Sequence, residues 1–138
     1  MTDEEIIDML NAQPPVFLKL LGGEVSALDR NAACCTMSFD VNTDFCHSVD
    51  MVQGGFVTCM LDATMSHTAI ALVENVVNVA TLEIKVSFLE PSRAGRFRAT
   101  GKLVKIGRST CFMSGELHNE AGELTATATT TAKLIRAR

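Results

Sequence analysis

Residues 45–72 hold the most suggestive chemistry in the chain. A double glycine, Gly54-Gly55, opens an apolar run in which one carboxylate, Asp62, stands among Phe56, Val57, Cys59, Met60, Leu61, Ala63 and Met65. The start of a buried helix presents unpaired N–H groups and the positive end of a dipole. Glycine at that point lets a carbonyl oxygen approach the backbone closely. Donors placed in this way form an oxyanion hole for acyl transfer, supplied by the Gly54 N–H, the Gly55 N–H or both. Hydrolysis of an acyl group also needs a base for water, or a nucleophile. Asp62 is the candidate. A carboxylate in apolar surroundings costs stability and therefore has a partner or a task, and no Lys or Arg occurs between positions 45 and 75 to pair with it.

Asp62 follows Gly54 by eight residues, which is ~12 Å along a helix axis at ~1.5 Å per residue. One chain therefore cannot bring the two together. Two copies can, if their helices lie antiparallel and side by side. This predicts a homo-oligomer, a homodimer or homotetramer, with sites shared between chains.

Plainer readings exist for each residue. Asp62 can be satisfied by Ser66 or a backbone group, and the glycines can simply permit close packing. His67 is five residues from Asp62, on another helical face, and reads as structural; His118 borders a hairpin and reads as solvated. Cys59 lies near Asp62, but a small buried apolar thiol is the better reading than a nucleophile. Cys46, His47 and Asp50 lack good metal-ligand spacing.

The elements that must position these groups follow from pattern. Thr2 and Glu5 form a capping-box pair ahead of Ile6, Ile7, Met9 and Leu10. Pro14-Pro15 breaks that helix and starts a second, which Gly22-Gly23 ends. Residues 24–28 and 32–40 read as two strands around a turn, and residues 41–53 as a polar loop. An apolar helix spans about 54–74. Residues 77–89 alternate, with Leu82, Ile84, Val86 and Phe88 on one face and Thr81, Glu83, Lys85 and Ser87 on the other. Strands at 96–106, 109–118 and 124–134 follow, and short turns between them predict an antiparallel meander. A sheet curled around one central apolar helix satisfies both patterns and gives an α+β domain over residues 1–138.

Composition narrows the classes. The 138 residues are 47% hydrophobic, enough for a core. Trp and Tyr are absent and the net charge is −4, which argues against a nucleic-acid partner. Five Cys without a CxxC pair read as free thiols in a reducing cytoplasm, and the acidic N-terminus does not read as a signal peptide. No apolar run reaches membrane-spanning length. Arg93, Lys105 and Arg108 lie in or beside turns, where they could hold the phosphates of a nucleotide tail.

The Gln53-Gly54-Gly55 step, Asp62 eight residues after Gly54, and the strand from Thr81 to Pro91 resemble the hotdog fold, and within it the PaaI-like acyl-CoA thioesterases. The resemblance covers nearly the whole chain. It implies a site at a dimer interface, with Asp62 as nucleophile or general base and Gly54 as oxyanion donor from the other subunit. Gln53 stands where the family commonly has His, and His47 where it commonly has Asn. Thr81 stands where a Ser or Thr orients water in some members. The resemblance implies hydrolysis of an acyl-CoA thioester to a carboxylate and free coenzyme A, with no cofactor beyond the CoA of the substrate. Two other readings remain on the same fold: a non-catalytic acyl-CoA or aromatic-ligand binder, and a dehydratase, whose helix-start motif of His and an acid is not found here.

Overall fold

Helix α1 (Asp3–Ala12) begins with the capping box that the sequence predicts, Thr2 and Glu5 each satisfying the other's backbone N–H. Pro15 is the N-cap of a short α2 (Val16–Leu20). The computed structural model describes all 138 residues. After α2 come β1 (Glu24–Asp29), β2 (Cys34–Val41), a 3-10 turn at Thr43–Phe45, α3 (Gly54–Leu72), β3 (Val76–Phe88), β4 (Gly95–Ile106), β5 (Thr110–Asn119) and β6 (Leu124–Arg136).

The strands form one antiparallel sheet in the order β1-β2-β4-β5-β6-β3. The expected meander is therefore only partly present. β4, β5 and β6 follow one another, but β3 pairs with β6 at the far edge, and β2 pairs with β4. The connection from β3 to β4 crosses the ends of β6 and β5 instead of closing a hairpin. It is pinned as it crosses. Leu89 and Glu90 N–H donate to the Thr125 carbonyl, and the buried Ser92 hydroxyl donates to Thr125 Oγ1. Val52 N–H donates to the Ser92 carbonyl and Ala94 N–H to the Asp50 carbonyl, each at 2.7 Å. That crossing carries the 88–92 segment beneath the start of α3.

The inner face of the sheet wraps α3. Met37, Phe39, Phe97, Ala99, Met113, Leu117, Ala126 and Ala132 meet Val57, Met60, Leu61, Met65 and Ala69 in one core. The helix approaches β4 and β5 closely because both strands carry glycine there. A Cβ on Gly115 would sit 3.3 Å from Leu61 and Met65, and one on Gly101 would collide with the Thr68 hydroxyl. Thr64 and Thr68 are buried without penalty because each hydroxyl donates to the carbonyl four residues back, at 2.7 Å.

Burial of α3 is one-sided, which corrects the expectation that Asp62 is enclosed by apolar neighbours. Gly55 and Phe56 are exposed, and Cys59, Asp62 and Ser66 are half-buried. Residues 55, 59, 62 and 66 recur at helical spacing, so they form a continuous uncovered stripe on the side of α3 away from the core. Beside it runs the β3 edge, whose Val77 and Leu82 side chains are 58% and 60% exposed.

Candidate active site

The register of β3 decides what faces Asp62. Strict alternation puts Thr81 on the face opposite Ile84, Val86 and Phe88. The structure places a β-bulge between Thr81 and Glu83, so that Thr81 pairs with Ala132 and Glu83 with Thr131. The extra residue, Leu82, turns outward, and Thr81 joins Ile84 and Val86 on the inner face. Its hydroxyl donates to Asp62 Oδ1 at 2.7 Å. The alternative partner, Ser66, makes no hydrogen bond to Asp62. Asp62 thus has a hydroxyl fixing one carboxylate oxygen and no ion-pair partner.

Cys59 lies one turn before Asp62. Burial first, and then the Asp62 carboxylate, push its thiol up, so it is protonated at neutral pH and a poor nucleophile. Cys35 is buried under the sheet, where burial pushes its thiol up to about 12. His67 Nδ1–H donates to the Ala63 carbonyl at 2.7 Å, in the helix's own backbone. Burial pushes it below the ordinary imidazole range, against the raising effect of that hydrogen bond. It acts as part of the packing.

The helix start is a second, separate cluster. Gln53 is the N-cap of α3, and its Oε1 accepts the Gly55 N–H at 2.6 Å. A side chain at position 55 would put its Cβ 2.7 Å from that same oxygen. The Gly55 N–H is therefore committed to the cap and is not the free donor that the sequence allows. The Gly54 N–H, first in the helix, has no intrahelical acceptor. The loop before the helix is held by Gln53 N–H to the Phe45 carbonyl, by His47 N–H to the Met51 carbonyl, and by an edge-to-face contact of Phe45 with Phe56 at 4.9 Å. His47 Nδ1 shares a 2.9 Å hydrogen bond with the Ser48 hydroxyl.

A cavity of about 390 Å³ opens between Gly54, His47 and the crossing segment. Phe88 and Glu90, which pattern reading did not single out, line it together with Leu89 and Pro91. The Phe88 ring reaches over the helix start: a Cβ on Gly54 would lie 3.3 Å from its tip. No sequence motif marks these residues, because they reach the site only through the sheet crossing.

The three cations do not form one group within a protomer. Arg93 precedes β4, whereas Lys105 and Arg108 lie at its far end, roughly 35 Å away at ~3.3 Å per residue. Arg93 also donates to Asp50 at 2.7 Å. Arg93 and Arg96 share a small groove of about 170 Å³ with Asn119 and Glu120; Arg96 is a cation that the sequence reading did not name. No three His, Cys, Asp or Glu side chains are grouped to hold a metal ion, and no helix is long and apolar enough to cross a membrane.

The chain thus holds two separate clusters along α3, Asp62 with Thr81 and Gly54 with Gln53, His47 and the cavity. Comparison with known proteins matches the same region. Residues 50–126 match the family model of the thioesterase superfamily. The medium/long-chain acyl-CoA thioesterase YigI of Salmonella typhimurium is 30% identical over 87 residues, which are 61% of this chain and 55% of that protein. The chain thus spans about half the length of this curated relative. Among solved structures, a phenylacetic acid degradation-related protein from Ralstonia eutropha JMP134 is 34% identical with a TM-score of 0.83, covering 93% of this chain and 98% of that one. The PaaI protein of the Escherichia coli phenylacetic acid degradation operon shares the fold, with a TM-score of 0.78 at 17% identity over 88% of this chain and 85% of that one.

Proposed function

The chain belongs to the thioesterase superfamily, in its PaaI-like hotdog group, and from that premise we propose that it hydrolyses acyl-CoA thioesters to a carboxylate and free coenzyme A. The observation that carries the proposal is the Thr81–Asp62 hydrogen bond on the uncovered stripe of α3. It presents a fixed carboxylate outward, where a second copy can meet it.

The working unit is a homodimer or a dimer of dimers. Two α3 stripes laid antiparallel bring Asp62 of one protomer to the helix start of its partner. The unpaired β3 edges, with exposed Val77 and Leu82, can continue one sheet into the other. In the shared site the thioester carbonyl oxygen accepts from the Gly54 N–H at the positive end of α3. Asp62 attacks the carbonyl carbon directly or takes a proton from the attacking water, and negative charge gathers on the carbonyl oxygen. Collapse of the tetrahedral intermediate breaks the C–S bond and releases coenzyme A. On the water route the acid forms at once and the thiolate takes the proton held by Asp62. On the direct route the acyl group is left as an anhydride on Asp62, the thiolate takes a proton from solvent, and water then hydrolyses the anhydride to the carboxylate and free Asp62. Thr81 holds Oδ1, which leaves Oδ2 for the chemistry. Gln53 keeps the Gly55 N–H occupied and leaves its own amide N–H groups to bind the substrate. His47 stands at the rim of the cavity. Arg93 and Arg96 near the cavity, with Lys105 and Arg108 at the other end of β4, are the groups available to a nucleotide tail. Five free thiols support a reducing compartment, the cytoplasm.

The test is release of free thiol from a panel of aryl-, short-, medium- and long-chain acyl-CoA substrates. Turnover of at least one, lost on Asp62→Asn, supports the reading. Tight binding of acyl-CoA without turnover would instead make the protein a ligand-binding member of the fold.

A further inference from the structure

The cavity beside Gly54 carries one unanswered charge. Its walls are apolar where Met51, Val57, Phe88, Leu89 and Pro91 face it, and its polar groups are His47, Glu90 and Ser92. Two of those three are already engaged. The Ser92 hydroxyl is held at 3.0 Å by Thr125 Oγ1, and His47 Nδ1 by Ser48. The nearest cation along the chain, Arg93, is taken by Asp50 at 2.7 Å. The Glu90 backbone is fixed by its N–H to the Thr125 carbonyl, while its side chain is exposed at the cavity rim, with water and no protein group as the partner of its carboxylate. A fixed backbone, apolar walls and a rim carboxylate with no protein counter-ion make a place that admits an uncharged chain and disfavours a negative one.

We propose that Glu90 is a specificity-determining residue, a charge filter that admits neutral acyl groups to the cavity beside Gly54 and turns away acyl groups ending in a carboxylate. The substrate class is thus simple monocarboxylic acyl thioesters, with thioesters of dicarboxylic acids excluded. The inference rests on the thioesterase reading and adds where the acyl group lies. The opening is next to the backbone N–H assigned to the carbonyl oxygen, so an acyl chain bound there extends from Gly54 past Phe88 toward Glu90.

Hexanoyl-CoA and adipoyl-CoA test this directly, because they share six carbons and differ in the terminal carboxylate. Wild type is expected to favour hexanoyl-CoA in kcat/KM by about tenfold or more, the order expected of a partly solvated carboxylate pair. Glu90→Gln should raise the adipoyl-CoA to hexanoyl-CoA ratio of kcat/KM about tenfold, and Glu90→Lys should raise it further. Added salt should narrow the wild-type ratio and leave that of Glu90→Gln unchanged. Glu4→Gln on α1 removes the same charge far from the cavity and should change nothing. Turnover of hexanoyl-CoA with the same ratio in wild type and Glu90→Gln overturns the filter alone, as does an equal effect of Glu4→Gln. Turnover of neither compound, with turnover of another acyl-CoA of the panel, overturns the filter alone, whereas no turnover across the whole panel overturns the filter together with the proposed activity.

Discussion

Thr81 reaches Asp62 only because Leu82 is an inserted residue. The bulge between Thr81 and Glu83 rotates the first part of β3 so that the Thr81 hydroxyl faces α3 and donates to Asp62 Oδ1 at 2.7 Å. A regular strand would turn that hydroxyl away from the helix. The bulge is thus a positioning device: it orients a carboxylate on a neighbouring element.

Removing the hydroxyl should show what it contributes. A hydrogen bond to a charged group is worth about 1.5–3 kcal/mol, so Thr81→Val should lower kcat by roughly 10- to 100-fold if the carboxylate must be oriented in the transition state. Thr81→Ser keeps the donor and should retain most of the activity. Thermal melts of both variants check that the fold is unchanged. Equal activity of Thr81→Val and wild type would remove Thr81 from the site.

Gln53 and Gly55 should be coupled. A methyl group at position 55 meets the Gln53 oxygen at 2.7 Å, so Gly55→Ala must expel the cap in the wild-type background. In a Gln53→Ala background the clash is gone, and alanine should gain up to about 1 kcal/mol of helix propensity over glycine. Urea denaturation of the four members of the double-mutant cycle should therefore show Gly55→Ala destabilising in one background and neutral or stabilising in the other. Additive effects would mean that the cap is not held in solution.

Much of this was legible in the sequence. The capping box at Thr2 and Glu5, the helix opened by Gly54-Gly55 and the alternating strands were readable because each depends on contacts three or four residues apart or on a period of two. The eight-residue gap between Gly54 and Asp62 already separated the two candidate clusters along the helix. What stayed hidden depends on long-range pairing. The bulge at Leu82 shows only in the β3–β6 register, and the placement of β3 beside β6 is set by packing across the sheet. Phe88 and Glu90 approach Gly54 through that crossing. Arg93, Lys105 and Arg108 were grouped as turn cations, yet Arg93 and Lys105 bracket the length of β4. The apparent enclosure of Asp62 came from averaging hydrophobicity around α3, when one stripe of that helix is uncovered in the protomer.

Two titratable groups on α3 give predictions of opposite sense. The Cys59 thiol is pushed up by burial and by Asp62, so it should resist iodoacetamide at pH 7.5, and Cys59→Ala should keep near wild-type activity. His67 is pushed down by burial, with the Ala63 hydrogen bond opposing. The unfolded chain takes up this proton near pH 6.5 and the folded chain only at lower pH. Stability from the neutral imidazole is therefore complete above ~6.5 and is lost as pH falls toward the folded value. His67→Gln should flatten the pH dependence of the urea midpoint below ~6.5. An unchanged slope would assign that dependence to other groups.

The proposed shared site makes a prediction that no single-chain site makes. Asp62→Asn keeps the shape of the carboxylate and removes its basicity, and should cost at least ~10²-fold in kcat, the low end for a positioned acid–base group. Gly54→Val should be as damaging for a different reason: its side chain crowds the Phe88 ring, 3.3 Å from the first added carbon, and blocks the carbonyl from the backbone donor. Each homodimer then carries two broken sites. In a mixed dimer, however, both lesions fall in one site and the other is intact. Unfolding and refolding the two variants together in equal amounts should therefore restore about one quarter of wild-type activity, since half of randomly assorted dimers are mixed and each has one good site. Recovery should fall as one variant is put in excess, and mixing without subunit exchange should give none. If refolded mixtures stay as inactive as their parts while size-exclusion chromatography shows mixed dimers, Asp62 and Gly54 do not meet across the interface, and Asp62 must find its reacting partner within its own chain.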